Sequence, residues 1–268
     1  MPLFVGVTSV LLLIAAYLTT QSQDWPYIFR PAAALFVTGH SPYVVHGFYN
    51  PPWVLPLLVP LAALPERLGA AMLGIVNLAA HLYLARKFGA NRVTLAAFIL
   101  TPHVLYAFIV PNLDFLVPLG LLLPARWGLL LVFVKQQLGA GMALYWLIEA
   151  WRRGGWRDAA RTFAPLVILS GLSFALYGFW PLKALETTRY GWNISLFPYS
   201  LLIGLPLLAF AIARKRPAFT LGVSLLAAPY VGIGSLPAAL LALVPHEAEM
   251  LAACAALWLL QIVTGRPF

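Results

Sequence analysis

Apolar runs of roughly membrane-spanning length recur from Leu3 to Thr264, separated only by short stretches that carry proline, glycine or basic side chains. The hydrocarbon core of a bilayer asks for about 20 apolar residues per helix. A water-soluble core has no use for so many. With 62% hydrophobic and 9% charged residues, the chain departs strongly from a soluble domain, of which about one quarter is charged. These features predict one integral membrane domain over residues 1–268 with no soluble domain attached.

Inside a bilayer the backbone must satisfy its own hydrogen bonds, which leaves helices or a closed barrel. A barrel would show segments of about ten residues alternating apolar and polar side chains. Leu3 to Leu18 and Met250 to Val263 are instead nearly continuous. The expected fold is all-α, a polytopic membrane helical bundle of about 9 to 11 hydrophobic segments. Pro51 to Leu64 is short and holds four prolines. It reads as a re-entrant or interfacial outer helix. The first run has no basic stretch before it and ends in Thr19-Thr20-Gln21-Ser22-Gln23 without a small-x-small cleavage site, so it reads as a retained first helix. The single cysteine, Cys254, excludes an intrachain disulfide and reads as a small packing residue.

The net charge of +9 does not imply a nucleic-acid partner, because the cations are dispersed among the loops. Arg86, Lys87 and Arg92 bracket one turn. Arg152, Arg153, Arg157 and Arg161 crowd a second, and Arg214, Lys215 and Arg216 form a third. The positive-inside rule makes all three cytoplasmic, in a multi-pass plasma-membrane protein. Residues 21–50 then form an outer loop and spans follow near 68–85 and 93–110. Between Asp114 and the Arg-rich loop the preferred path runs in, out and in, with Arg126 at the inner turn and Lys135-Gln136-Gln137 at the outer tip. Further segments fall near 162–180, 197–213, 217–231, 235–245 and 249–264. Arg30, Arg67, Lys135, Lys183, Arg189 and Arg266 stand outside the cytoplasmic set.

The polar side chains gather on the outer side. The first outer loop carries Asp24-Trp25-Pro26-Tyr27, Gly39-His40-Ser41-Pro42-Tyr43 and Phe48-Tyr49-Asn50-Pro51-Pro52-Trp53. Asn112-Leu113-Asp114 and Lys135-Gln136-Gln137 follow on the same side. Asp24 could act as a base or cap a helix that begins near Pro26. Asp114 could bind an acceptor or cap a helix end. Lys135 in an apolar run needs a partner or water, which favours a functional role. Arg30 and Arg189 either bind an anion or snorkel to the interface. Trp25, Tyr27, Tyr43, Tyr49, Trp53, Tyr190 and Trp192 suit an interfacial belt or a sugar-stacking surface. The five histidines, His40, His46, His81, His103 and His246, lack the close pairing of a zinc site and read as loop or packing residues; no motif assigns a metal or a cofactor.

In their order, an acidic residue after the first helix, an aromatic stretch, a Pro-Tyr turn and a Tyr-x-Pro-Pro approach to an apolar run resemble the GT-C superfamily of membrane glycosyltransferases. The likeness is to the polyprenol-phosphate-mannose-dependent branch, over roughly the first 140 residues. It implies that Asp24 is the general base of an inverting transfer from a polyprenyl-phosphate-linked sugar at the extracytoplasmic face. Tyr27, Arg30, Tyr49, Asn50, Asp114, Lys135, Gln137 and Arg189 are the candidate substrate-binding residues. Gln136 stands where relatives of that family often carry proline, and the chain is shorter than such enzymes. Those departures keep an alternative open, a non-catalytic membrane subunit on a GT-C-like scaffold that packs against a membrane protein partner. A transporter or lipid-handling protein is a third reading, suggested by the broken segments around Lys135.

Overall fold

Proline and glycine decide where the apolar runs stop being single helices. The computed structural model describes residues 2–189 and 191–264, so Tyr190 and Arg266 lie outside the described residues. It is helical throughout, with no strand among the described residues. Helix α1 (Pro2–Thr19) leads into α2 (Arg30–Val37), α3 (Leu55–Ala62) and the long α4 (Glu66–Lys87). The segment expected at 93–110 is two helices, α5 (Arg92–Ile99) and α6 (Pro102–Ile109), bent by 58° where Pro102 cannot continue the ladder.

After α7 (Leu116–Gly120) and α8 (Ala125–Val132), a 3-10 turn over Phe133–Lys135 passes into α9 (Gln136–Tyr177). The break at Lys135 forms with glutamine at 136, because the Lys135 backbone itself leaves the helical region at φ −130°, ψ 88°. Gly139 lets the first turn of α9 lie directly on the Val132 carbonyl, where a side chain would collide. A second break falls at Gly154 and Gly155, the latter with a φ of 62° that favours glycine. There α9 doubles back. Leu166 packs in one cluster with Leu129 and Ala143, although 23 helical residues laid straight would separate Ala143 and Leu166 by about 35 Å.

The chain closes with a 3-10 segment (Trp180–Arg189), the hairpin of α10 (Leu201–Ala213) and α11 (Pro217–Ala227), the short α12 (Leu236–Leu240) and α13 (Glu247–Thr264). Three helical stretches are long and apolar enough to cross a membrane: Glu66–Lys87, Ala125–Tyr177 and Glu247–Thr264, with the bent α5–α6 pair a fourth if it is one span. That is fewer than the 9 to 11 hydrophobic segments expected from composition. The bend at Pro102 divides the run expected at 93–110 into two short helices, and several further apolar helices, Pro52–Ala62, Leu201–Ala213 and Pro217–Ala227 among them, stay shorter than a span. Backbones meet closely at small residues, as in membrane bundles where lipid is as apolar as the side chains. A Cβ on Gly120 would stand 2.7 Å from the Gly128 carbonyl oxygen, so α7 and α8 touch backbone to backbone.

These contacts give the molecule two ends. The first turn of α4 lies beside Trp25, and the first turn of α9 lies beside Asn50 through the neighbouring Val134. The far ends of α4 and of the first half of α9 carry Arg86–Lys87 and Arg152–Arg153.

Candidate active site

The peptide after α1 is held in place by its own polar groups. The Gln21 N–H donates to the Ile109 carbonyl at 2.9 Å, and Ser22 Oγ accepts the Trp25 N–H at 3.1 Å. Ser22 thus does the capping that Asp24 might have done. The Asp24 side chain makes no cap hydrogen bond to the π-helical turn Trp25–Phe29 that follows it. Trp25 is fully buried and its indole N–H donates to the Glu66 carbonyl at 3.0 Å, anchoring the backbone next to Asp24 against α4.

Freed from capping, the Asp24 carboxylate faces inward, and Oδ2 accepts from Asn112 Nδ2 at 2.5 Å. Asn112 has little freedom to turn away. Its Oδ1 accepts the Leu113 N–H at 2.7 Å, and its carbonyl accepts from Asn77 of α4 at 3.3 Å. Asn77 also donates to the Ala107 carbonyl at 3.1 Å, so α4 fixes the turn after α6. Burial raises the Asp24 pKa above the ordinary carboxylate value of 3.8; the Lys135 charge opposes that rise and the Asp114 charge adds to it.

Asp114 is nearly fully buried and is satisfied from two sides. Lys135 Nζ lies 3.6 Å from Oδ2, and the Ser235 hydroxyl donates to Oδ1 at 2.5 Å. Lys135 is thereby the paired cation that a buried lysine requires, and the backbone break places it at the N-terminal end of α9. Asn50 fixes the neighbouring backbone, donating from Nδ2 to the Val134 carbonyl at 2.9 Å, while its own carbonyl accepts the Tyr43 hydroxyl at 2.9 Å.

The Trp180–Arg189 segment closes one side. Glu186 accepts the Tyr49 hydroxyl at 2.9 Å and Lys183 donates to the Tyr43 carbonyl at 2.7 Å. Asn193 ties the next loop to Pro229 and Val231 at 2.9 and 3.0 Å, bringing Trp192 and Tyr230 into a hydrogen-bonded pair.

These elements enclose a cavity of about 590 Å³. Asp24, Tyr27, Tyr49, Asn50, Asp114, Lys135 and Gln137 all line it. Arg30 and Arg189 do not. Arg30 pairs with Glu66 at 3.8 Å, and Arg189 ends its 3-10 segment with an exposed side chain. His46, Tyr106, Trp192, Tyr230 and Ser235 join the lining without having been singled out for it, apart from Trp192 as an interfacial or sugar-stacking aromatic. No group of three His, Cys, Asp or Glu side chains suited to a metal ion occurs among the described residues.

The cavity therefore sets a carboxylate, oriented by an amide, facing the buried Lys135–Asp114 ion pair, with aromatic rings and neutral donors in the same lining. That arrangement can take a proton at the Asp24 wall and offers the ammonium of Lys135, shared with Asp114, at the other. No family model, curated protein or solved structure matches the chain.

Proposed function

We propose that the protein is a membrane glycosyltransferase of the polyprenyl-phosphate-sugar-dependent GT-C kind. The observation that carries this reading is the shared cavity, in which Asp24 and the Lys135–Asp114 pair face one volume large enough for a sugar and a phosphate. An acceptor hydroxyl gives its proton to Asp24 as its oxygen bonds to the anomeric carbon. The bond from that carbon to the lipid-phosphate oxygen breaks, and its electron pair leaves with the phosphate. Lys135, with Gln137 beside it, steadies that charge. One base and no covalent intermediate give a single displacement with inversion. Tyr27, Tyr49 and Trp192 offer faces for sugar rings.

In this reading the cavity opens to the extracytoplasmic side of the plasma membrane and the basic turns are cytoplasmic. The shorter apolar helices complete a polytopic bundle of 9 to 11 hydrophobic segments, Pro52–Ala62 entering from the outer side without crossing. A transfer assay in lipid with a panel of polyprenyl-phosphate sugars tests the activity, and labelling of cysteines placed one at a time at Thr187 and Lys215, with Cys254 replaced by alanine, tests the sidedness.

One observation favours the alternative of a non-catalytic membrane subunit. Helix α13 buries only Met250, leaving Leu259, Leu260, Ile262 and Val263 exposed for lipid or a partner helix. Stable co-purification with another membrane protein, together with absence of transfer, would favour it.

A further inference from the structure

The end of the bundle away from the cavity carries a second concentration of chemistry that the transfer reaction does not use. Along α9, Gln136 and Arg152 are separated by about 24 Å of helix. The helices beside α9 bring more cations to the same level. Gly128 of α8 lies on the Trp146 ring, and Thr220 and Ser224 of α11 lie on Met142 and Gly141. By that register the first turn of α8, with Arg126, and the 214–216 turn before α11 sit level with the end of the first half of α9. Arg126, the four arginines between 152 and 161, and Arg214, Lys215 and Arg216 therefore share one end.

Only two carboxylates on these elements oppose them: Glu149, 3.4 Å from Arg152, and Asp158, 3.1 Å from Arg153. Several of the other cations lie over aromatic rings. Arg126 stands 5.4 Å from the Trp127 ring, Arg157 5.7 Å from Trp156, and Arg214 5.7 Å from Phe210. The indoles are open, Trp127 being 48% exposed, Trp151 60% and Trp156 65%. Below this tier the same helices present bare aliphatic side chains, among them Val167, Ile168 and Leu207.

We infer that this end is a seat for anionic phospholipid headgroups. A guanidinium fork matches a phosphate in geometry and charge, and an indole settles at the boundary between headgroup and acyl chain. The aliphatic tier below supplies the matching surface for acyl chains, which an acidic soluble protein would not need. The inference is independent of the glycosyltransferase reading, because none of these cations lines the cavity.

The test uses the full chain reconstituted in phosphatidylcholine vesicles, with spin-labelled phosphatidylglycerol or spin-labelled phosphatidylcholine as probe. The motionally restricted fraction of each label gives their relative association with the protein. Phosphatidylglycerol should be favoured by about fivefold or more, the factor one well-placed cation supplies at an anionic surface. That preference should fall toward parity in Arg126→Gln/Arg157→Gln/Arg161→Gln/Arg216→Gln and persist in Arg67→Gln, at the other end. Raising salt to about 1 M, where the screening length is roughly 3 Å, should weaken it in the wild type without any variant. Parity in the wild type would leave the patch to an acidic protein partner and overturn the inference. Preference that persists in the quadruple variant, or displacement of the label by millimolar inorganic phosphate, would overturn it too.

Discussion

Asn112 donates its side-chain amide to Asp24 Oδ2 at 2.5 Å across 88 residues of sequence, with its own oxygen already engaged by the Leu113 N–H. The amide can therefore present only its donor edge to the carboxylate, which fixes the carboxylate plane and favours its ionised form. Asn112→Ala should lower kcat/KM by about tenfold to a hundredfold, the worth of one hydrogen bond to a charged group. Steady-state kinetics check this, and a wild-type kcat/KM would show that Asn112 does not aim the base.

The pH dependence follows from the same residue. Burial holds the Asp24 pKa above 3.8 in the folded protein. A base must be ionised, so kcat/KM should fall on the acid side with an inflection above the ordinary carboxylate range. Asn112→Ala removes a bond to the ionised form and should move that inflection further up. For stability the sign is opposite. A raised folded-state pKa means that the folded state binds the proton more tightly, so the Asp24 contribution is fully present below the unfolded value and is lost as pH rises through the folded one. Asp24→Asn should therefore flatten the loss of thermal stability across that window, which a melting series in detergent would record.

The Lys135–Asp114 pair predicts a thermodynamic asymmetry. Both side chains are largely buried, at 17% and 6% exposure. Lys135→Met leaves a buried carboxylate without its cation and should destabilise the fold by about 3–5 kcal/mol, whereas Lys135→Met/Asp114→Leu should recover much of the loss. Thermal unfolding of the wild type, Lys135→Met, Asp114→Leu and the double variant measures it. Additive losses would mean that the pair is not coupled.

How much of this could be read from the chain depends on how far apart the partners lie. The helical class was legible, because apolar runs such as 250–263 admit no other hydrogen-bonded solution in lipid. The residues of the outer motifs were legible as polar groups in loops, and Asp24, Tyr49, Asn50 and Lys135 come together in one cavity. What joins them was not legible. Ser235 reaches Asp114 across 121 residues and Glu186 reaches Tyr49 across 137, from segments whose composition carries no motif. The run at 93–110 reads as one span because hydrophobicity does not register the 58° bend at Pro102. Arg30 was read by charge alone, which cannot foresee that Glu66 stands beside it.

Packing beneath the site gives a further prediction. A Cβ on Gly69 would stand 2.6 Å from the Leu61 carbonyl oxygen and 2.7 Å from the Trp25 ring, and Trp25, the residue after the base, anchors the backbone beside Asp24. Gly69→Ala should therefore destabilise by about 1–3 kcal/mol, the usual cost of overpacking, and lower transfer by displacing Asp24. Melting temperature and turnover measured on the same preparation would separate the two effects.

The most direct test of the central claim is sugar transfer by purified protein in lipid, wild type beside Asp24→Asn, with donor binding measured on both. The account predicts transfer by the wild type, none by the variant, and donor binding by each. Turnover that survives in Asp24→Asn would contradict Asp24 as the base, and absence of transfer from every donor in the wild type would contradict the enzyme.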